Sequence, residues 1–224
     1  RVLFRSIEWK PEGVVMIDQR KLPGQEIYLT CKTAADVARA IKTMVIRGAP
    51  AIGVAAAMGI ALGMRRSKAQ GTKQFAVELN KIAELMAGTR PTAVNLFWGI
   101  DRMKRSFAAG IEAGESVEEL KARLEREAQA IHDEDFESCR AMGRFGAAVV
   151  PANARILTHC NAGALATGAR SFATINIGLL GYAAPELRVL DLVGLDLAEI
   201  RIHRGVQSQV TAQAILHIQA RSEE

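Results

Sequence analysis

Residues 156–168, ILTHCNAGALATG, bring Thr158, His159, Cys160 and Asn161 together at the end of a short apolar run. The run reads as a buried strand ending in a polar turn. Glycines at 163 and 168 let the backbone beyond it come close to a ligand. Open α/β sheets bind ligands at the carboxyl ends of their strands, so this turn reads as the floor of an active site. Cys160 is its candidate reactive group, because a thiol gains reactivity when a helix N-terminus or a nearby cation lowers its pKa.

Two further stretches suit an anion. In Arg47-Gly-Ala-Pro-Ala-Ile-Gly (residues 47–53) an arginine precedes a glycine and a proline. That proline fits the first turn of a helix, where its missing N–H costs nothing. A helix N-terminus carries free N–H groups and a partial positive charge, so an arginine beside it makes a phosphate site. The same residues also suit a plain corner between two helices with a surface arginine, and spacing does not separate the two. Thr89-Arg-Pro-Thr-Ala-Val-Asn-Leu-Phe-Trp (residues 89–98) repeats the order arginine, turn, proline, helix. Thr89 and Thr92 add hydroxyl donors, and Asn95 lies further in. Two such corners strengthen the case that Arg47 and Arg90 face one anionic ligand. Phe97 and Trp98 are expected in the core.

The elements that must position these groups are legible from punctuation and periodicity. Three short β-prone runs, residues 3–9, 13–18 and 26–30, are separated by Pro11-Glu-Gly and Leu22-Pro-Gly, which predicts an antiparallel meander. Cys31 is expected at a strand end as a small packing residue. Thr33 and Asp36 form a capping box, and Val37, Ala40, Ile41, Met44 and Val45 mark the apolar stripe of the helix it opens, running to Arg47. Residues 51–64 read as an alanine-rich buried helix, and 75–87 as an amphipathic one closed by Gly88. A helix from Asn95 should break at Gly110 and Gly114. Ser116 and Glu119 cap a long charged helix, with Leu120, Leu124, Ala128 and Ile131 on one side, expected to end at Gly143 and Gly146. The adjacent His132-Asp-Glu-Asp points in different directions around a helix and is not expected to hold a metal. Strands are expected at 155–158 and 187–193, and a helix at 206–219.

Composition excludes several classes. The 224 residues are 49% hydrophobic with a net charge of +5, so a substantial core is expected and the basic residues are too scattered for nucleic acid. Arg65, Arg66 and Lys68 suit a solvated helix end. No apolar run reaches the length of a membrane span. Three cysteines without CxxC spacing argue against a disulfide scaffold or a zinc site and fit a reducing cytoplasm. No metal or cofactor is expected. The sequence begins at Arg1 and shows no signal peptide.

Ile46-Arg-Gly-Ala-Pro-Ala-Ile-Gly, Thr89-Arg-Pro-Thr-Ala-Val-Asn-Leu-Phe-Trp and Ile156-Leu-Thr-His-Cys-Asn-Ala-Gly-Ala-Leu-Ala-Thr resemble three signatures of the methylthioribose-1-phosphate isomerase family. That group shares a wider family with ribose-1,5-bisphosphate isomerase and regulatory subunits of the exchange factor for eukaryotic translation initiation factor two. The resemblance covers about residues 4–167. It implies an α/β fold, with an N-terminal β-meander and helical domain (1–150) followed by a Rossmann-like domain (151–224). It implies conversion of 5-methylthioribose 1-phosphate into 5-methylthioribulose 1-phosphate in methionine salvage. It implies that Arg47, Gly48, Ala49 and Arg90 contact the sugar-phosphate substrate and that Cys160 is catalytic. A homodimer is expected, without nucleic-acid or membrane partners.

Past Thr167 the chain departs from that pattern. The family's Gly-Tyr-Gly-Thr-Ala stretch, its Glu-Thr-Arg-Pro segment and its Gly-Ala-Asp-Arg-Ile segment with a second catalytic aspartate are not found. No role passes to Asp191, Asp196, His203 or Gln207. The second domain is therefore expected to be truncated or divergent. The alternative function is a non-catalytic sugar-phosphate-binding or interaction protein of the same family.

Overall fold

The computed structural model describes residues 6–22, 24–149, 155–157, 165 and 188–190. It opens with an antiparallel sheet of β1 (Ile7–Lys10), β2 (Gly13–Ile17) and β3 (Tyr28–Cys31) in the order β1-β2-β3. Ile7 pairs with Met16, Trp9 with Val14 and Val14 with Cys31. Successive side chains of a strand point to opposite faces, so these residues share the face turned to the core, where Ile7, Val14 and Met16 are buried. Gly13 is required at the first turn: its φ is +150°, and a Cβ there would stand 2.2 Å from the Cys31 carbonyl oxygen. Trp9 fastens the sheet to the helices. Its Nε1 donates to Glu125 at 2.9 Å, and the Arg65 guanidinium lies 5.1 Å over its ring.

Helix α1 (Ala34–Lys42) begins with the expected capping box, Thr33 and Asp36 each accepting from the other's backbone N–H. It ends earlier than its apolar spacing suggests. Met44 takes a left-handed φ of 62° and is 41% exposed. The Met44 N–H bonds the Ile41 carbonyl and the Val45 N–H bonds Ala40. These are the two crossed hydrogen bonds that close a helix through a left-handed residue. The turn sends Val45 and Ile46 into the core from outside the helix and delivers Arg47 to the next corner.

Helix α2 (Ala49–Arg65) is the centre of the bundle, with every residue from Ala51 to Leu62 buried. Helices α3 (Thr72–Ala87), α4 (Val94–Glu112) and α5 (Val117–Val149) pack around it. Three expectations are corrected here. Gly110 does not break α4; it sits within the helix, at a point where a Cβ would come within 2.6 Å of Leu120. The long helix α5 runs through Gly143 and Gly146 to Val149. Phe97 and Trp98 are 37% and 46% exposed, while Leu96, Gly99 and Ile100 carry the buried face of α4. The Ser116–Glu119 capping box is present.

The last described elements are β4 (Arg155–Leu157) and β5 (Arg188–Leu190), paired in parallel with Arg155 opposite Arg188. Both strands fall within the expected runs. The helix expected at 206–219 lies outside the described residues. Among the described residues no helix is long and apolar enough to cross a membrane.

Candidate functional site

The Arg47 corner is built by backbone constraint. Gly48 holds φ at +100°, a conformation that side chains disfavour, and the chain enters α2 directly behind it. Pro50 lies in the first turn, and no side chain caps that helix end. The turn therefore keeps its partial positive charge and free N–H groups. Arg47 is half-buried beside it, and its Nε is buried with no hydrogen-bond partner among the described residues. Ala49 is exposed at the helix start.

The Arg90 corner differs from its expected form. Pro91 does not open the helix. Residues 90–93 form a turn in which the Ala93 N–H bonds the Arg90 carbonyl at 3.0 Å, and α4 begins only at Val94. The Thr89 hydroxyl is not available to a ligand as a donor, because it donates to the Met86 carbonyl at 2.6 Å and closes α3. Arg90 is half-buried, and Asn95 is in the first turn of α4.

Helices α2 and α4 cross closely near their N-termini. A Cβ on Gly53 would stand 2.7 Å from the Asn95 carbonyl oxygen, and one on Gly99 would stand 2.6 Å from the Gly53 oxygen. Only glycine permits this approach, so the first turns of the two helices lie side by side. A groove of about 390 Å³ opens where they meet α5, lined by Pro50, Val54, Val94, Asn95, Trp98, Ile131 and Glu134 among others. Neither arginine of the two corners lines it among the described residues. Arg102 organises its far wall: it bonds Glu127 at 2.6 Å, grips Glu134 with both terminal nitrogens, and lies 5.5 Å over the Trp98 ring. That ion pair holds the Glu134 carboxyl below the usual range and raises the Arg102 pKa. Glu134 is committed to Arg102, while the His132 Nδ1 meets Asp133 at 2.9 Å. Among the described residues no group of three or more histidine, cysteine or acidic side chains could hold a metal.

Gln19 went unnoticed in the sequence. It is 1% exposed, just past β2, and touches both the Arg47 corner and a distant segment. Its backbone N–H bonds the Val45 carbonyl at 2.9 Å. Its Nε2 reaches the Arg47 carbonyl at 3.4 Å and the Leu165 carbonyl at 2.8 Å. A glutamine following an apolar strand directly was the available signal. Its neighbour Asp18 is paired with Arg20 at 2.7 Å, and that hydrogen bond holds its carboxyl below the usual range. Cys31 is buried, and burial pushes its thiol up to about 11, which fits a packing role. Cys139 is buried in α5. Cys160 lies outside the described residues; Leu165, five residues on, is buried.

Comparison with known proteins supplies the remaining constraint. The family described as "Initiation factor 2 subunit family" matches residues 45–187. Methylthioribose-1-phosphate isomerase of Geobacter metallireducens is 52% identical over 164 residues, covering 73% of this chain and 47% of that protein. The same enzyme of Geobacter sulfurreducens is 53% identical over the same shares. The crystal structure of 5-methylthioribose 1-phosphate isomerase from Pyrococcus horikoshii OT3 superposes with a TM-score of 0.76 at 39% identity, covering 87% of this chain and 55% of that one. The translation initiation factor eIF-2B, subunit delta, from A. fulgidus gives a TM-score of 0.72 at 41% identity, over 83% and 53%. The chain spans about half the length of the curated relatives it matches.

Proposed function

This chain belongs to the Initiation factor 2 subunit family, and from that membership we propose that it carries the phosphate grip and the reactive thiol of a methylthioribose-1-phosphate isomerase. The observation that carries the reading is the Arg47 corner: an uncapped helix start behind a glycine at φ +100°, beside an arginine whose Nε is buried without a partner among the described residues. In this reading Arg47, Gly48 and Ala49 bind the substrate phosphate from one side and Arg90 from the other. Identity of 52% to isomerases of known name supports the substrate class.

The substrate carries phosphate on its anomeric carbon, so its ring does not open as freely as that of an ordinary aldose. The reaction needs a proton delivered to the ring oxygen and a hydrogen moved from C2 to C1, by a proton relay through an enediol or by direct hydride transfer. Neither route requires an external oxidant. The chain's part is to hold the phosphate and to place the Cys160 thiol for ring opening. The parallel pair β4–β5 supports a Rossmann-like second domain from about residue 151. The exposed Val94, Phe97 and Trp98 support a homodimer, and the cysteine usage supports a cytoplasmic setting.

The test is conversion of 5-methylthioribose 1-phosphate by the purified chain and by Cys160→Ser. Turnover that Cys160→Ser abolishes is the expected result. The relation to the A. fulgidus initiation factor subunit favours one other reading, a ligand-binding interaction protein. Phosphate binding without turnover, unchanged in Cys160→Ser, would establish that reading instead.

A further inference from the structure

The groove between α2, α4 and α5 adjoins the Arg47 corner through Pro50. That residue lies in the first turn of α2, and Val54 lines the groove one turn further along the same helix. The rise of an α-helix puts Val54 about 9 Å from Gly48 along the axis. A pentose with one substituent on C1 and another on C5 spans a comparable length. A sugar whose phosphate sits at the α2 N-terminus therefore reaches the groove with its other end.

Val94 and Trp98 of α4 and Ile131 of α5 complete an apolar lining around about 390 Å³. Val54 and Ile131 are each 1% exposed, so core residues form the floor, while Val94 and Trp98 leave apolar surface open at 79% and 46%. Sulfur in a thioether makes favourable contacts with an aromatic ring, and Trp98 supplies that ring. The α5 side of the groove opposes a second anion. Glu134 and Asp135 both line it. The guanidinium beside them, Arg102, is already shared between Glu127 and Glu134. Its hydrogen bond holds the Glu134 carboxyl below the usual range, which keeps that group ionised. Among these four residues three carboxylates stand against one guanidinium, a negative balance that repels phosphate.

We propose that this groove is the subsite for the substituent on C5 of the sugar, with Trp98 as its specificity-determining residue, favouring a neutral thioether over a hydroxyl or a second phosphate. The inference rests on the reading of the Arg47 corner as a phosphate site.

The test is calorimetric titration of the full chain with inorganic phosphate, ribose 1-phosphate, 5-methylthioribose 1-phosphate and ribose 1,5-bisphosphate. The wild type should bind the methylthio sugar about tenfold more tightly than ribose 1-phosphate, the effect of burying one or two further apolar groups. It should bind the bisphosphate no more tightly than ribose 1-phosphate. Trp98→Ala should lose most of the preference, while its affinity for inorganic phosphate stays within about twofold, as at a site that does not share the residue. Val94→Thr, which keeps the shape and adds a hydroxyl, is the second variant and should lower the preference as well. A wild type that binds phosphate but holds the methylthio sugar and ribose 1-phosphate equally overturns the subsite and leaves the phosphate site standing. So does a preference that survives in both variants, or a bisphosphate that binds most tightly of all. Trp98→Ala that turns a dimer into a monomer and keeps the preference assigns the groove to a second copy of the chain, and overturns the subsite too. A wild type that binds none of the four ligands sinks the anion-site reading itself, and the subsite with it.

Discussion

The two arginine–proline corners share residue types and differ in construction. At the first, Gly48 turns the chain through φ +100° directly into α2, Pro50 lies inside the helix, and Arg47 is drawn half into the protein with a buried Nε. At the second, Pro91 sits in a hydrogen-bonded turn, three residues separate Arg90 from α4, and the Thr89 hydroxyl is committed to α3. The first corner places a half-buried arginine directly before a helix start; the helix start after the second corner is equally uncapped but lies further along the chain. The second holds its arginine on a short turn. The order of residue types along a chain thus says less about a site than whether a proline falls inside the helix or before it. The Arg47 corner is the principal anchor in this account, and Arg90 assists it.

Substitution of the two arginines exposes that difference most strongly. Hydrogen bonds to charged groups are each worth about 1.5–3 kcal/mol, so Arg47→Ala should weaken inorganic phosphate binding by about 100-fold and Arg90→Ala by about tenfold. Titration calorimetry measures both, and an equal or larger loss at Arg90 breaks the comparison. Next is the close crossing of α2 and α4 near their N-termini. Gly53→Ala forces a Cβ against the Asn95 backbone and should cost about 1–3 kcal/mol in denaturant unfolding, as overpacking does. A neutral result would show that the helices can separate freely. Gly48→Ala places a side chain at φ +100° and should cost about 1–2 kcal/mol. Pro91→Ala, in the exposed turn, should stay within about 0.5 kcal/mol. Parity of these two would remove the backbone distinction between the corners.

The smallest expected effect concerns pH. The Asp18 carboxyl lies beside Gln19, is 3% exposed and is held below its usual range by Arg20. Its folded pKa is lower than its unfolded value of about 3.9. The stability it contributes is therefore complete above about pH 4 and is lost as pH falls through the folded value. Asp18→Asn should flatten the acid limb of a stability–pH curve, and an unchanged limb would show that the pair is inert.

Much of the scaffold was legible. Capping boxes at Thr33 and Ser116, the glycine at 48 and the unbroken apolar run of α2 are local signals, and local signals survive folding. The misreadings arose where tertiary contact overrode them. Gly110 lies inside α4, where the packing of Leu120 leaves no room for a side chain, and Trp98 is exposed because α4 turns Gly99, not its aromatic residues, towards α2. Met44 fits a helical stripe by spacing but adopts a left-handed turn that no residue type announces. The backbone form of the Arg47 corner was legible in its glycine and proline. Gln19 was not, because its role depends on carbonyls of residues 47 and 165 that only the fold brings near it.

The most direct test of the account is a phosphate titration of the wild type beside the double variant Arg47→Ala/Arg90→Ala, followed by calorimetry. The account predicts saturable binding to the wild type at a single site and none to the double variant, with both retaining the helical signature of the bundle. Binding of equal strength to the two proteins would contradict it, because the anion would then be held somewhere other than between the two corners.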